Sequence, residues 1–337
     1  MRMERSHRPV VTALGLALVV AFESAAAQAG ATRATDPRLT FQPKQPGPGS
    51  LIRVTIDRLA GNGDSVVSVA GDMANEPLHF LEPAGGSRVA LAAIPIDASD
   101  SVVARVLVGY ASGAIDTVHS SLRFPHHPPP LAVARTGGRM RGASRLRVDA
   151  RFTRPMADST AARIEQENAL ARDVGRRAHD TPKLWTYPFL RPRASRVTSR
   201  FGSGRVFNGR VSSSHLGIDY RGALGEPIRA ANRGVVALVA AFYLAGNVVY
   251  IDHGAGLVTG YFHMSQPEVS AGDTVERGQE IGLVGATGRV TGPHLHWSAR
   301  FGDLTIDPAD LLSLGAPFTA PDTTPEKRTL IRIKKPR

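Results

Sequence analysis

Thr291-Gly292-Pro293-His294-Leu295-His296-Trp297 is the stretch around which the chain is organised. Read as a strand, it alternates its side chains between two faces. His294 and His296 then point one way and Leu295 the other. The Gly-Pro pair before them marks the exit from a turn. Two imidazoles on one face suit a metal site or a proton-transfer site.

Other segments supply what this one lacks. Ser214-His215-Leu216-Gly217-Ile218-Asp219-Tyr220 sets a His and an Asp four residues apart. That spacing is same-face on a strand and nearly so on a helix, and Gly217 with β-branched Ile218 favours extended chain. Tyr261-Phe262-His263-Met264 adds a histidine at the end of an apolar run. The chain has no Cys, so a tight transition-metal site must draw on nitrogen and oxygen. Three protein ligands and one open position describe a catalytic zinc site. Two histidines are then left for proton transfer and oxyanion stabilisation.

Together the three segments resemble the lysostaphin-type zinc endopeptidases, the LytM family of cell-wall hydrolases. The family pattern is H-x-x-x-D, a lone His after an aromatic, then H-x-H. Here it reads His215…Asp219, His263 and His294-Leu295-His296. The flanks Thr198-Ser199-Arg200-Phe201-Gly202, Gly246–Gly254 and Gly285-Ala286-Thr287-Gly288 extend the likeness over roughly 197–312. The resemblance implies that His215, Asp219 and His296 bind one Zn²⁺ per chain, and that His263 and His294 are the catalytic histidines. It implies amide hydrolysis in peptidoglycan stem peptides or cross-bridges. Some members carry a Tyr a few residues before the first ligand, thought to help hold the oxyanion. Phe207-Asn208-Gly209 stands there instead, without a phenol hydroxyl. Other members have lost ligands and serve as binding modules that activate cell-wall amidases. A complete ligand set argues against that role.

The whole chain fits this frame. It has 337 residues, 42% hydrophobic and 21% charged, with 34 Gly and 24 Pro, which suits short strands and turns. A formal charge of +12 is compatible with nucleic acid, but no nucleic-acid motif accompanies it, so electrostatic contact with an anionic cell wall or membrane surface is expected instead. Residues 1–27 read as a signal peptide: a basic start (Arg2, Arg5, Arg8), an apolar core from Val10 to Phe22 and Ala25-Ala26-Ala27 before Gln28. The mature chain is therefore expected to be exported, periplasmic or extracellular.

The fold class expected is dominated by β structure. Residues 28–50 read as a mobile leader. Residues 51–125 read as a small β-sandwich with strands near Leu51–Ile56, Ser65–Val69, Val89–Ile94, Val102–Val108 and Thr117–Phe124. Its expected role is spacing, orientation or wall contact, and His79 and His119 are read as lone structural or surface groups. Residues 126–196 hold a Pro-rich linker with solvated His126 and His127, a strand at Leu146–Phe152, and a helix at Thr160–Ala178 capped by Asp158-Ser159. That helix is expected to bury Ile164, Leu170, Ala171 and Val174. The cluster Leu184–Phe189 is read as packing, with groove lining as the other use. Residues 197–314 are expected to form an antiparallel β domain with a groove across its sheet, including a tight hairpin within Ala271–Gly282. His253 is read as a turn residue outside the site. Residues 315–337 read as a basic disordered tail.

Overall fold

The computed structural model describes residues 37–57, 59, 64–83, 86–125 and 143–319. Residues 1–27, expected to be a signal peptide, and the expected linker at His126-His127 lie outside these residues. The N-terminal part consists of β1 (Arg38–Gln42), β2 (Leu51–Asp57), β3 (Val66–Met73), β4 (Glu76–Pro77), β5 (Arg88–Ala93), β6 (Ser101–Tyr110) and β7 (Ile115–Arg123). They form two sheets, ordered β1-β2-β5 and β4-β3-β6-β7, with antiparallel pairing throughout. Along β6, Val102, Ala104, Val106 and Val108 are buried while Val103 and Arg105 face out. This period of two puts one face on the sandwich core. The leader expectation fails over Arg38–Gln42, because Thr40 and Phe41 pair with Thr55 and Val54 of β2.

β5 behaves differently from β6. Its run Val89-Ala90-Leu91-Ala92-Ala93 is buried on both faces. Ala90 and Ala92 enter the sandwich core with Ile52, Val54 and Ile56. Val89, Leu91 and Ala93 enter a second core with Trp185, Ile228 and Phe301. A continuous apolar run is what a strand covered on both sides requires. The sandwich is therefore packed onto the C-terminal part through apolar burial, beyond the spacer role expected of it. Polar ties reinforce this contact. The Leu51 amide donates to Asp310 Oδ2 at 2.7 Å, and the Arg53 guanidinium to the Ala316 carbonyl at 2.7 Å. Phe318 is buried, so the tail expectation gives way over residues 315–319. His79 is not lone: its Nε2 meets His179 Nδ1 at 2.8 Å, and His179 Nε2 meets Glu76 at 2.8 Å.

The connecting region differs from expectation in detail. β8 (Ser144–Leu146) ends early, because the Asp149 carboxylate accepts from the Arg151 amide at 2.9 Å and caps a 3₁₀ turn at Ala150–Phe152. Helix α1 (Asp158–Arg177) starts after Ala157, which makes no side-chain cap. Its buried stripe is Glu167, Ala171, Val174, Gly175 and Ala178, while Leu170 is exposed. Spacings of four, three and four define that stripe, and Leu170 lies off it. Glu167 tolerates burial because it accepts from Arg163 Nε at 2.7 Å and the Tyr243 amide at 2.8 Å. At Gly175 a Cβ would lie 1.9 Å from the Gly302 carbonyl oxygen, so only glycine lets the helix approach there. Trp185 and Phe189 are buried in the second core, which favours packing over groove lining for that cluster.

The C-terminal part contains β9 (Val197–Ser199), β10 (Gly204–Phe207), β11 (Val211–Ser214), β12 (Ile218–Arg221), β13 (Pro227–Arg229), β14 (Gly234–Phe242), β15 (Gly246–Gly254), β16 (Leu257–Pro267), β17 (Thr274–Val275), β18 (Glu280–Val284), β19 (His294–Phe301) and β20 (Leu304–Ile306), then helix α2 (Pro308–Leu312). A ten-stranded sheet runs β17-β14-β15-β16-β19-β12-β9, with β13, β18 and β20 attached beside this path. β10 and β11 form a hairpin, and β8 adds to β10 in parallel. The tight hairpin expected within Ala271–Gly282 does not form: β17 pairs with β14, and β18 with β13 and β16. His253 lies inside β15 and is fully buried, with Nδ1 donating to the Arg233 carbonyl at 2.7 Å. Burial lowers its pKa to about 4, so it is a neutral core residue and no part of the turn that follows.

Burial pushes the Asp310 carboxyl up to about 6, with Asp307 adding to the rise. The folded chain thus favours the neutral acid, and stability falls as pH climbs from about 4 to about 6 and is level above. Asp310→Asn keeps an acceptor for the Leu51 amide and removes the charge. Allowing for partial exposure, it should be the more stable form by on the order of 1 kcal/mol at about pH 7.5, and equal to the wild type near pH 4. Thermal melts across that range check this. A variant less stable at the higher pH would contradict it.

Candidate metal centre and active site

Strand register brings the site together. β12 pairs with β19, and Asp219 lies directly opposite His296. β16 flanks β19 on its other side, with Phe262 opposite His296. The Phe262 ring stacks on the His296 ring at 5.1 Å between centroids. His215 comes from the short connection between β11 and β12, where its amide donates to the Ser203 carbonyl at 2.9 Å. His215, Asp219 and His296 are all buried. His215 Nε2 is 2.9 Å from His296 Nδ1 and 2.9 Å from Asp219 Oδ1, and His296 Nδ1 is 2.9 Å from the same oxygen.

The ring orientations follow from what the far nitrogens touch. His215 Nδ1 lies 2.9 Å from the Arg200 carbonyl. His263 Nδ1 lies 2.8 Å from the Thr287 carbonyl, and His294 Nδ1 2.8 Å from the Gly292 carbonyl. A carbonyl only accepts, so each Nδ1 carries a hydrogen there, and that bond fixes the orientation of the ring. His296 is held otherwise, by Phe262 on one side and Gly217 on another. A Cβ at Gly217 would lie 2.6 Å from His296 Nε2 and 2.6 Å from the Trp297 carbonyl.

His263 and His294 stand beside the trio. Their rings are 5.0 Å apart, and the His263 ring is 5.9 Å from that of His296. His294 Nε2 is 3.7 Å from Asp219 Oδ1, beyond bonding distance. His263 sits at an irregularity of β16 with φ of 63°. Left-handed backbone is uncommon for a residue with a side chain, and such strain clusters at functional sites. Burial, with His294 and His296 adding to it, holds the His263 pKa well below the ordinary value, so its imidazole is neutral. Burial lowers His296 to about 4. Burial would raise the Asp219 carboxyl, but the bonds from His215 and His296 outweigh it and hold the group far below the carboxylate range.

All five residues singled out in the sequence therefore meet in one place. Arg205, Ser199 and Gly217 complete it without having been singled out as site residues. The Arg205 guanidinium binds Asp219 Oδ2 and, at 3.1 Å, Ser199 Oγ. Arg205 reaches Asp219 only because the β10–β11 hairpin folds back beside β12, a relation that local spacing does not carry. Two imidazole nitrogens and one carboxylate oxygen, buried, convergent and within 4.8 Å of one another, match the donor chemistry of a catalytic zinc site.

Residues 213–308 match peptidase family M23. Peptidoglycan DD-endopeptidase ShyC of Vibrio cholerae serotype O1 is 43% identical over 104 residues, which is 30% of this chain and 24% of that protein. DD-carboxypeptidase/endopeptidase Mpg of Neisseria meningitidis serogroup B is 41% identical over 97 residues, 29% of this chain and 22% of that protein. The chain thus spans about a quarter of the length of these curated relatives. A crystal structure of a putative peptidase M23 from Pseudomonas aeruginosa covers 80% of this chain and 95% of its own, with a TM-score of 0.55 and 24% identity. That likeness extends the shared fold beyond the matched domain.

Gly217→Ala should lower divalent-metal affinity by roughly tenfold or more, the scale of a lost orienting contact, because the added methyl drives the His296 ring from its seat. Competition against a chelator measures it. Unchanged affinity would show that the ring is not held by this contact.

Proposed function

We propose, from an M23 domain at residues 213–308, that this protein is a zinc-dependent endopeptidase that acts outside the cytoplasm on the peptides of peptidoglycan. The observation that carries the reading is the convergence of His215 Nε2, Asp219 Oδ1 and His296 Nδ1 beside two further imidazoles. His215, Asp219 and His296 would hold the metal. When bound, zinc supplies a water of lowered pKa and polarises the scissile carbonyl.

The chain's own residues do the rest. His215 and His296 present nitrogen lone pairs, and Asp219 presents one oxygen while its other is held by Arg205. His263 and His294 each offer Nε2 from a ring whose Nδ1 donates to a backbone carbonyl. Between them they take a proton from the attacking water, steady the oxyanion and return a proton to the leaving amine. Glycosidic cleavage ordinarily needs two carboxylic groups about the sugar bond, and here Asp219 is committed to the metal set. The complete donor set supports catalysis over a purely binding role.

His263→Ala and His294→Ala should keep most of the zinc yet lose roughly a hundredfold in kcat, the scale of a lost acid–base group. Metal analysis beside rate measurement separates the two effects, and loss of zinc in either variant would overturn the division between ligands and catalysts. Digestion of peptidoglycan by the zinc-loaded chain should release new amines and no new reducing sugar ends. Reducing ends that rise with activity would overturn the reaction class.

A further inference from the structure

A cavity of about 360 Å³ opens from Asp219 and His294 along the β10 side of the site. Asp219 is the only acidic group in its lining among the described residues, against three arginines, Arg205, Arg221 and Arg289. Arg205 is committed to Asp219. Arg221 lies opposite His294 in the β12–β19 pair and is exposed at the rim. Arg289 is the unexplained member. Its backbone is fixed, the amide donating to the Leu244 carbonyl at 2.8 Å. Its guanidinium lies 4.1 Å from the centre of the Phe207 ring, and no acidic side chain among the described residues pairs with it. Burial, with repulsion from Arg205, pushes its pKa down to about 10, so it remains charged. A largely buried cation without a carboxylate is costly, and stacking on a ring offsets only part of that cost. A guanidinium fork matches a carboxylate in two parallel hydrogen bonds.

We propose that Arg289 is a specificity-determining residue of this groove: it binds a free carboxylate carried by the substrate peptide next to the scissile amide, so that acidic peptides are cut in preference to neutral ones. The proposal rests on the endopeptidase reading. Phe207 is part of the device, since its ring supports the guanidinium that faces the groove. Arg221 adds a second positive charge at the rim, which draws an anionic peptide toward the site.

The test uses two synthetic peptides that share one cleavable bond and differ in a single group beside it, a free carboxylate or its carboxamide. Zinc-loaded full chain should show a KM for the acid roughly ten- to a hundredfold below that for the amide, the scale of a charge-assisted hydrogen bond. Arg289→Gln should raise KM for the acid alone, leaving kcat and cleavage of the amide near wild type. Arg289→Lys, which keeps the charge but not the fork, should recover part of the preference. Titration calorimetry of the metal-free wild type should show the acid binding more tightly than the amide, and metal-free Arg289→Gln should not. Cleavage of both peptides with equal KM, or an acid preference that survives in Arg289→Gln, would overturn the proposal and leave the endopeptidase reading standing. Cleavage of neither peptide nor of peptidoglycan by the wild type would overturn that reading, and the proposal with it.

Discussion

The register between β12 and β19 is the constraint on which the site depends. It sets Asp219 directly across from His296, and the alternation of β19 then puts His294 on the same face, two residues back. A slip of one residue in that pairing would turn both imidazoles away from the carboxylate. The rest of the site is arranged about this pair. His215 arrives from a connection held by backbone hydrogen bonds, and His263 from an irregular point of β16 where the chain adopts a left-handed conformation. Backbone carbonyls then fix three of the four rings. A buried carboxylate with this many partners stays ionised, which a metal ligand requires.

The N-terminal sandwich enters this account through packing. β5 is covered on both faces, so one strand contributes to two cores. The polar ties at Leu51 and Arg53 bind the neighbouring strand β2 to α2 and to the segment after it. Separating the two parts would expose Val89, Leu91 and Ala93 together with their partners, an apolar surface that water disfavours. The sandwich therefore stabilises the domain that carries the site, and it does so from the side of the sheet away from the arginine-lined groove.

Much of the site was legible because its chemistry is written in short spacings. His215 to Asp219 and His294 to His296 are same-face intervals on extended chain, and the structure makes both of them neighbours of one point. What spacing does not carry is anything made by folding at a distance. Arg205 meets Asp219 through a hairpin, Thr287 serves His263 with a backbone carbonyl, and Gly217 matters for the space it leaves. Arg289 belongs to the same class, an unremarkable basic residue until the groove is seen. In the fold, the alternating strands were readable, whereas β1 was hidden in a polar, Pro-rich stretch and gained its identity only from pairing with β2. Helix α1 was readable in extent, but Leu170 drew attention by its apolar character although it lies off the stripe. The hairpin expected near Ala271–Gly282 failed because local turn residues do not decide partners: β17 and β18 find other strands.

The central claim is that two imidazoles and one carboxylate hold the metal while two more imidazoles stand free. X-ray absorption at the zinc edge of the loaded full chain counts imidazole ligands directly through their outer-shell scattering. The account predicts two imidazoles, a carboxylate and a further oxygen, at distances of about 2.0–2.2 Å with no sulfur. A spectrum that requires three or four imidazoles would contradict it, since His263 or His294 would then be a ligand and could not carry the proton.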